Sequence, residues 1–360
     1  MLARLATTTA LLLSVASQGA GADASEQAAR SVTHHVAPCL ERTRMSPGDS
    51  TSLCQVSGVV RIAETLVLAN DKPIPGAGPS ALFSLPLADG KISDDTPPTY
   101  LQSPAIEGAD KFEALTATSD GHYIIASTAF MRSGTKNDPR DDRLNTIAYW
   151  PADAAQLAKV LAPTTRSGIT SSISLRKTIG EAVGSGYFKV ESLAVAPGNQ
   201  LVMGIRKHGN SSRDSDHAFL LIAAPFSFNH NVMELTGTFR KILDTTPSVP
   251  GEPRLMGLSG LVFDSFSNDR FYAVTSMKDD HGIGGYLWEV PWANGKPGKP
   301  RLVEGSDGAP LRFANKPEGV TTLGPHQLLV VHDDDRVQIQ TSLNGIPHLP
   351  NEFSYSVISF

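Results

Sequence analysis

The chain has 360 residues, 40% of them hydrophobic, with 31 glycines, 25 prolines and a formal net charge of -5. That apolar share builds a packed core and excludes disorder. The slightly acidic balance excludes the usual nucleic-acid footprint, which needs clustered Lys and Arg.

The first residues read as an export signal over 1–24. Arg4 supplies a positive start, Leu5 to Ala16 an apolar run, and Ala22-Asp23-Ala24 a small-x-small cleavage site. The protein is therefore expected in the periplasm or secreted. No later apolar stretch reaches the ~18 residues of a membrane span, so no membrane insertion is expected after cleavage. The segment 25–54 carries the only two cysteines, Cys39 and Cys54. In an oxidising compartment they are expected to pair as a structural staple, since they lack C-x-x-C redox spacing.

From residue 55 onward one pattern recurs five times. It opens at Ser57-Gly-Val-Val, Glu113-Ala-Leu, Glu191-Ser-Leu, Ser259-Gly-Leu and Glu318-Gly-Val. Each copy is an apolar run, a tight turn such as Asp120-Gly121 or Pro197-Gly198-Asn199, and a second apolar run, which together predict a β-hairpin. Third strands are expected at Ala81 to Leu87, Thr146 to Trp150, Ala218 to Pro225 and Tyr286 to Trp292. Fourth strands are expected at Ser172 to Ile179, Thr238 to Leu243 and Arg301 to Val303. Four antiparallel strands per repeat make an all-β fold, a single β-propeller over 55–360 with five blades. The segment Ser31 to Cys54 either builds a sixth blade or supplies a strand that closes the ring. The regular repeat counts against the rival reading, a pair of sandwiches. The longest interval, between Glu113 and Glu191, is assigned to an inserted helix over Pro151 to Leu161.

Reflecting each hairpin about its turn sets Ser57 near Asn70, Glu113 near Thr128, Glu191 near Arg206, Ser259 near Ser276 and Glu318 near His332. All five pairs fall on one face, around one mouth of the channel. Polar groups converging on a concave mouth form the candidate site. A hard cation such as calcium takes six to eight oxygens, and its candidate ligands here are Glu113, Glu191, Glu318, Asp333, Asn70 and Asp71. No contiguous calcium loop exists, so several blades would have to supply them. Glu318 and His332 are the candidate base and acid, whereas Glu191 is expected to form a structural ion pair with Arg206. Nucleophile-elbow, zinc-helix and phosphate-loop motifs are absent from the sequence.

The blade openings Val56-Ser-Gly-Val59, Phe112-Glu-Ala-Leu115, Val190-Glu-Ser-Leu193 and Pro317-Glu-Gly-Val320 carry a resemblance. Over residues 55 to 335 the chain resembles exported bacterial propellers of the esterase-like-activity-of-phytase group, and a related propeller family without assigned function. The resemblance implies a propeller and metal-assisted phosphoester cleavage. Ala114 and Ser192 replace the expected glycine, and Ser57 and Ser259 stand where an acidic residue could have been. Two functions follow as expectations: a calcium-dependent hydrolase of phosphoesters, esters or lactones, or a non-catalytic propeller that binds a small molecule or a protein at its polar mouth.

Overall fold

The computed structural model describes residues 28–41, 54–74, 80–93, 96–132, 138, 140–279, 282–333 and 348–360. The expected signal segment lies outside the described residues. Among the described residues no helix is long and apolar enough to cross a membrane.

Strand β1 (Ser31–Pro38) precedes the blades. Blade I holds β2 (Val56–Ile62), β3 (Thr65–Asn70) and β4 (Leu82–Ala88), with β5 (Lys91–Ile92) and β6 (Thr99–Tyr100) at its rim. After helix α1 (Pro104–Glu107), blade II holds β7 (Phe112–Ala117), β8 (Tyr123–Thr128), β9 (Ile147–Pro151) and β10 (Lys159–Val160), with α2 (Arg140–Arg143) between β8 and β9. A separate hairpin, β11 (Thr164–Arg166) and β12 (Ile169–Ser171), is followed by α3 (Arg176–Val183). Blade III holds β13 (Tyr187–Ala196), β14 (Gln200–Gly209), β15 (Ser215–Asn229) and β17 (Arg240–Thr245), and β16 (Val232–Leu235) extends the outer end of β15. Blade IV holds β18 (Gly257–Phe263), β19 (Arg270–Asp279) and β20 (Gly282–Ala293), edged by β21 (Lys296–Pro297), β22 (Arg301–Leu302) and β23 (Arg312–Phe313). Blade V holds β24 (Pro317–Gly324), β25 (Gln327–His332) and β26 (Glu352–Ser359).

These sheets form a five-bladed β-propeller. The first two strands of each blade are buried on both faces and so read as near-continuous apolar runs. Apolar side chains fill the space between neighbouring blades. Phe112, Ile124 and Trp150 pack against blade I, Phe188, Ile205 and Leu220 against blade II, and Phe219, Phe271 and Trp288 between blades III and IV. Tyr272 and Phe313 meet blade V, and Phe83 with Phe353 and Tyr355 joins blade V to blade I.

The N-terminal strand decides the blade count. β1 pairs antiparallel with β26 from Ser31↔Ser359 to Pro38↔Glu352, so it is the outermost strand of blade V and closes the ring. It does not seed a sixth blade. The Cys39–Cys54 disulfide, with Cα atoms 5.8 Å apart, then joins the end of this closing strand to the start of blade I. It therefore bridges the seam at which the two ends of the ring meet.

Two assigned elements differ. Over Pro151 to Leu161 only Ala155–Leu157 is helical, as one 3-10 turn, and Lys159–Val160 pairs with β9 as the fourth strand of blade II. The bare edge of β9 outweighs the helix propensity of this Ala-rich stretch. Ser172 to Ile179, expected as a strand, is a 3-10 turn leading into α3. Ile179 and Val183 bury one face of that helix, and Gly184 ends it in a left-handed conformation at φ 83°.

Removing the staple by replacing Cys39 and Cys54 with Ser is expected to cost about 3 kcal/mol, the chain-entropy value for a loop of this size. Urea unfolding of the oxidised protein against the double variant measures it, and equal midpoints would contradict the seam role.

Candidate functional site

Every innermost strand carries a β-bulge at the same place. Pairing jumps from Val56↔Asn70 to Gly58↔Ala69, and from Phe112↔Thr128 to Ala114↔Ser127. The same slip occurs at Val190/Ser192, Leu258/Gly260 and Pro317/Gly319. The five skipped residues are Ser57, Glu113, Glu191, Ser259 and Glu318, the ones the repeat pattern singles out. A bulge leaves its residue outside the ladder and re-aims the side chain.

At this level the five strands almost touch. A Cβ on Gly319 would sit 3.1 Å from the Gly58 Cα, and one on Gly260 would sit 3.1 Å from the Gly319 Cα. The space enclosed by the bulges is only about 10 Å3, room for one water at most. Ser57 and Ser259 turn aside from it and staple neighbouring blades. The Ser57 hydroxyl donates to the Phe112 carbonyl at 2.6 Å and the Ser259 hydroxyl to the Pro317 carbonyl at 2.8 Å.

The three glutamates lie in one chain of ion pairs that alternates in sign. Asp71 at the end of blade I meets Lys111 at 2.5 Å, and Lys111 meets Glu113 at 2.8 Å. Lys189 bridges Glu113, at 3.0 Å, and Glu191. Arg206 joins Glu191 at 3.3 Å to Glu318 at 3.2 Å, passing blade IV, where the small Ser259 leaves room. Lys316 completes the chain, 2.5 Å from Glu318 and 3.6 Å from Asp333. From blade IV the Ser276 hydroxyl donates to Glu318 at 3.4 Å.

The chain therefore contains five carboxylates and four cations. The lysines were not singled out in the sequence, although a signal for them is present. Lys111-Phe-Glu113, Lys189-Val-Glu191 and Lys316-Pro-Glu318 repeat a Lys-x-Glu triplet, and the two serine blades have Gln55 and Gly257 at the lysine position. Alternate residues of a strand share a face, so each Lys is set beside its Glu.

Burial and charge divide the carboxyls. Burial, reinforced by Glu191, pushes Glu113 up to about 8 against the pull of Lys111 and Lys189. Burial also opposes ionisation of Glu191, but Lys189 and Arg206 outweigh it and bring that carboxyl down to about 2. Arg206 is raised because Glu318 and Glu191 outweigh its burial. Behind it, burial with the Lys207 and Arg206 charges lowers His217 to about 4.

The remaining candidates are placed differently. Asn70 is structural, its Oδ1 accepting from the Gln55 amide at 2.5 Å and its Nδ2 donating to the Lys72 carbonyl at 2.8 Å. His332 Nε2 is 2.8 Å from the Ser356 hydroxyl, which also lies 2.9 Å from His34 Nδ1. Arg206 serves Glu318 as well as Glu191, so the two glutamates share the environment that was expected to separate them. The donor set as arranged does not fit a calcium ion. Lys189, Arg206 and Lys316 stand between the carboxylates, and among the described residues no three His, Cys, Asp or Glu side chains cluster as ligands.

The sequence matches no family model and no curated protein. Among solved structures, the fold is similar to a gluconolactonase from Xanthomonas campestris (11% identity, TM-score 0.42, 92% of this chain and 97% of that chain). It is also similar to an α-L-arabinofuranosidase from Podospora anserina (10% identity, TM-score 0.41, 90% and 95%) and to a glycosyl hydrolase from Bacteroides ovatus (7% identity, TM-score 0.40, 92% and 96%). The likeness is one of architecture, and no site residue is carried over from it.

Replacing Arg206 with Met takes one of two cations from each of Glu191 and Glu318 and leaves them Lys189 and Lys316, so a loss of about 3 kcal/mol in urea unfolding, the low end for a broken buried pair, is expected. A loss below that of an ordinary surface substitution would show that the chain contributes little to stability.

Proposed function

We propose that the charged mouth binds a small anion, a carboxylate- or phosphate-bearing molecule, and that the protein is an exported binding propeller. One observation carries this reading. Lys111 and Lys189 keep 24% and 18% of their side chains exposed, whereas the Glu113 side chain they share keeps 4%. With Glu113 protonated below about 8, each ammonium still satisfies one carboxylate, Asp71 or Glu191, and retains N–H donors for a ligand. Charge-assisted bonds from two lysines then hold the anion. The disulfide supports export, since such bonds persist in oxidising compartments.

The sign of the pH dependence follows. Raising pH through about 8 ionises Glu113 and adds negative charge beneath the lysines, so anion affinity falls. Calorimetry with succinate and inorganic phosphate, and glucose as a neutral control, tests the reading. Wild type is expected to bind the anions and not glucose, more weakly at pH 9 than at pH 7. Lys111→Met and Lys189→Met are each expected to lose about tenfold in affinity, the value of one charge-assisted bond. No anion binding, or binding unchanged in both variants, would overturn it.

A second reading, hydrolysis of a phosphoester, ester or lactone, is favoured by the separation of Glu113 from Glu191. Paired carboxyls whose environments push them apart divide into an acid and an ionised partner. Glu113 would then protonate the leaving group, a role first expected of the Glu318 and His332 pair. Turnover on nitrophenyl esters or a lactone, lost in Glu113→Gln and declining above about pH 8, would establish it. Activity that survives in Glu113→Gln would remove it.

A further inference from the structure

Away from the channel, a cavity of about 780 Å3 opens at the outer rim between blades II and III. That volume lies within the ~300–1,000 Å3 of small-molecule sites. Its apolar lining includes Tyr149, Leu161, Ile169, Leu175, Met233 and Leu235. Ile169 comes from the β11–β12 hairpin and Leu175 from the 3-10 turn after it; among the described residues that hairpin is a two-stranded sheet of its own and adds no strand to a blade. The chain nonetheless fastens this hairpin down. Arg166 binds the buried Asp142 at 2.5 Å and 2.9 Å, and the Ser171 hydroxyl donates to the same carboxylate at 3.4 Å. The following helix is pinned by Arg176, which hydrogen-bonds the Phe130 carbonyl and Asn145 Oδ1 and stacks over the Phe188 ring at 4.4 Å. An insertion that blade closure does not need is thus held open beside apolar surface.

The two ends of the cavity differ in charge. At the β16 end Lys159 and Glu234 have opposite signs, and the Lys159 ammonium donates to the Asn231 carbonyl at 3.1 Å. At the α1 end Arg143 is exposed, and among the described residues its guanidinium donates one long 3.4 Å bond, to the Glu107 carbonyl. Of the lining side chains only Glu234 is acidic. The apolar trough therefore ends in a cation at one side.

We infer that this rim cavity binds an amphiphile with one carboxylate and an unbranched or aromatic tail. The carboxylate sits on Arg143 and the tail lies along Leu161, Ile169 and Met233. The site is independent of the channel mouth, and short anions belong to the mouth and not to the rim.

Calorimetry with decanoate below its micelle concentration tests this, with decanamide as the uncharged analogue and butanoate as the short one. Wild type is expected to bind one decanoate and to prefer it to decanamide. Arg143→Gln should abolish that preference, and Ile169→Asp should weaken decanoate about tenfold or more by placing a charge against the tail. The Lys189→Met variant should bind decanoate as wild type does, which separates this site from the channel mouth. Thermal unfolding of Arg143→Gln, a surface change, confirms a folded protein should Ile169→Asp fail to fold. Absence of decanoate binding to wild type, equal binding of decanoate and decanamide, or an undiminished preference in Arg143→Gln would each overturn the inference.

Discussion

Five inner strands must converge on one axis, and here they do so until glycine backbones meet at van der Waals distance. That convergence leaves almost no free volume at the bulges. Whatever side chains the bulges present must be small or must leave the axis with their charge compensated. Two blades take the first solution with Ser57 and Ser259. Three take the second with glutamates, each beside a lysine two residues earlier in its own strand. Arg206 crosses the gap left by Ser259, so that a deficit of side-chain volume in blade IV is where blades III and V are joined.

An isolated buried carboxylate costs several kcal/mol, and attraction repays that cost only where partners are close and numerous. Glu191 and Glu318 have such partners. Glu113 is the exception: its burial and its proximity to Glu191 outweigh two lysines, and it keeps its proton near neutrality. The same crowding that closes the channel thus leaves the lysines above Glu113 with N–H donors that no ionised carboxylate beneath them takes. Stability of the ring and polarity of the mouth have one origin, while the seam between blades V and I is held by a different pair of devices, the closing strand and its disulfide.

The hairpins were legible because both inner strands are apolar and each turn has its own chemistry. Their register was legible only to within one or two residues, two in blade IV, where Gly257 and not Ser259 is opposite Ser276. Reflection about the turn placed Ser57 opposite Asn70, whereas Val56 is opposite and Ser57 is the bulged residue. A bulge has no simple periodic signature, yet its recurrence in five copies kept every candidate on the same face. The Lys-x-Glu triplet was present but is visible only once the repeats are aligned on the acid. Segments 151–161 and 172–179 exchanged helix and strand because short apolar stretches at a sheet edge take the form their neighbours allow. The partners of His332 and Asn70 were missed because the first depends on the register of β26 beside β25 and the second is a backbone amide at the foot of Asn70's own hairpin, which residue type does not reveal.

The ionisation of Glu113 is the point on which stability and mouth chemistry both depend. Carbon-13 NMR of side-chain carboxyls, with Glu113→Gln to assign the resonance, follows it directly. A Glu113 midpoint near 8 is expected, with Glu191 ionised throughout the neutral range. A Glu113 midpoint at the ordinary glutamate value of about 4.3 would contradict the account, because at neutral pH a third carboxylate would then sit beneath two lysines already paired with Asp71 and Glu191.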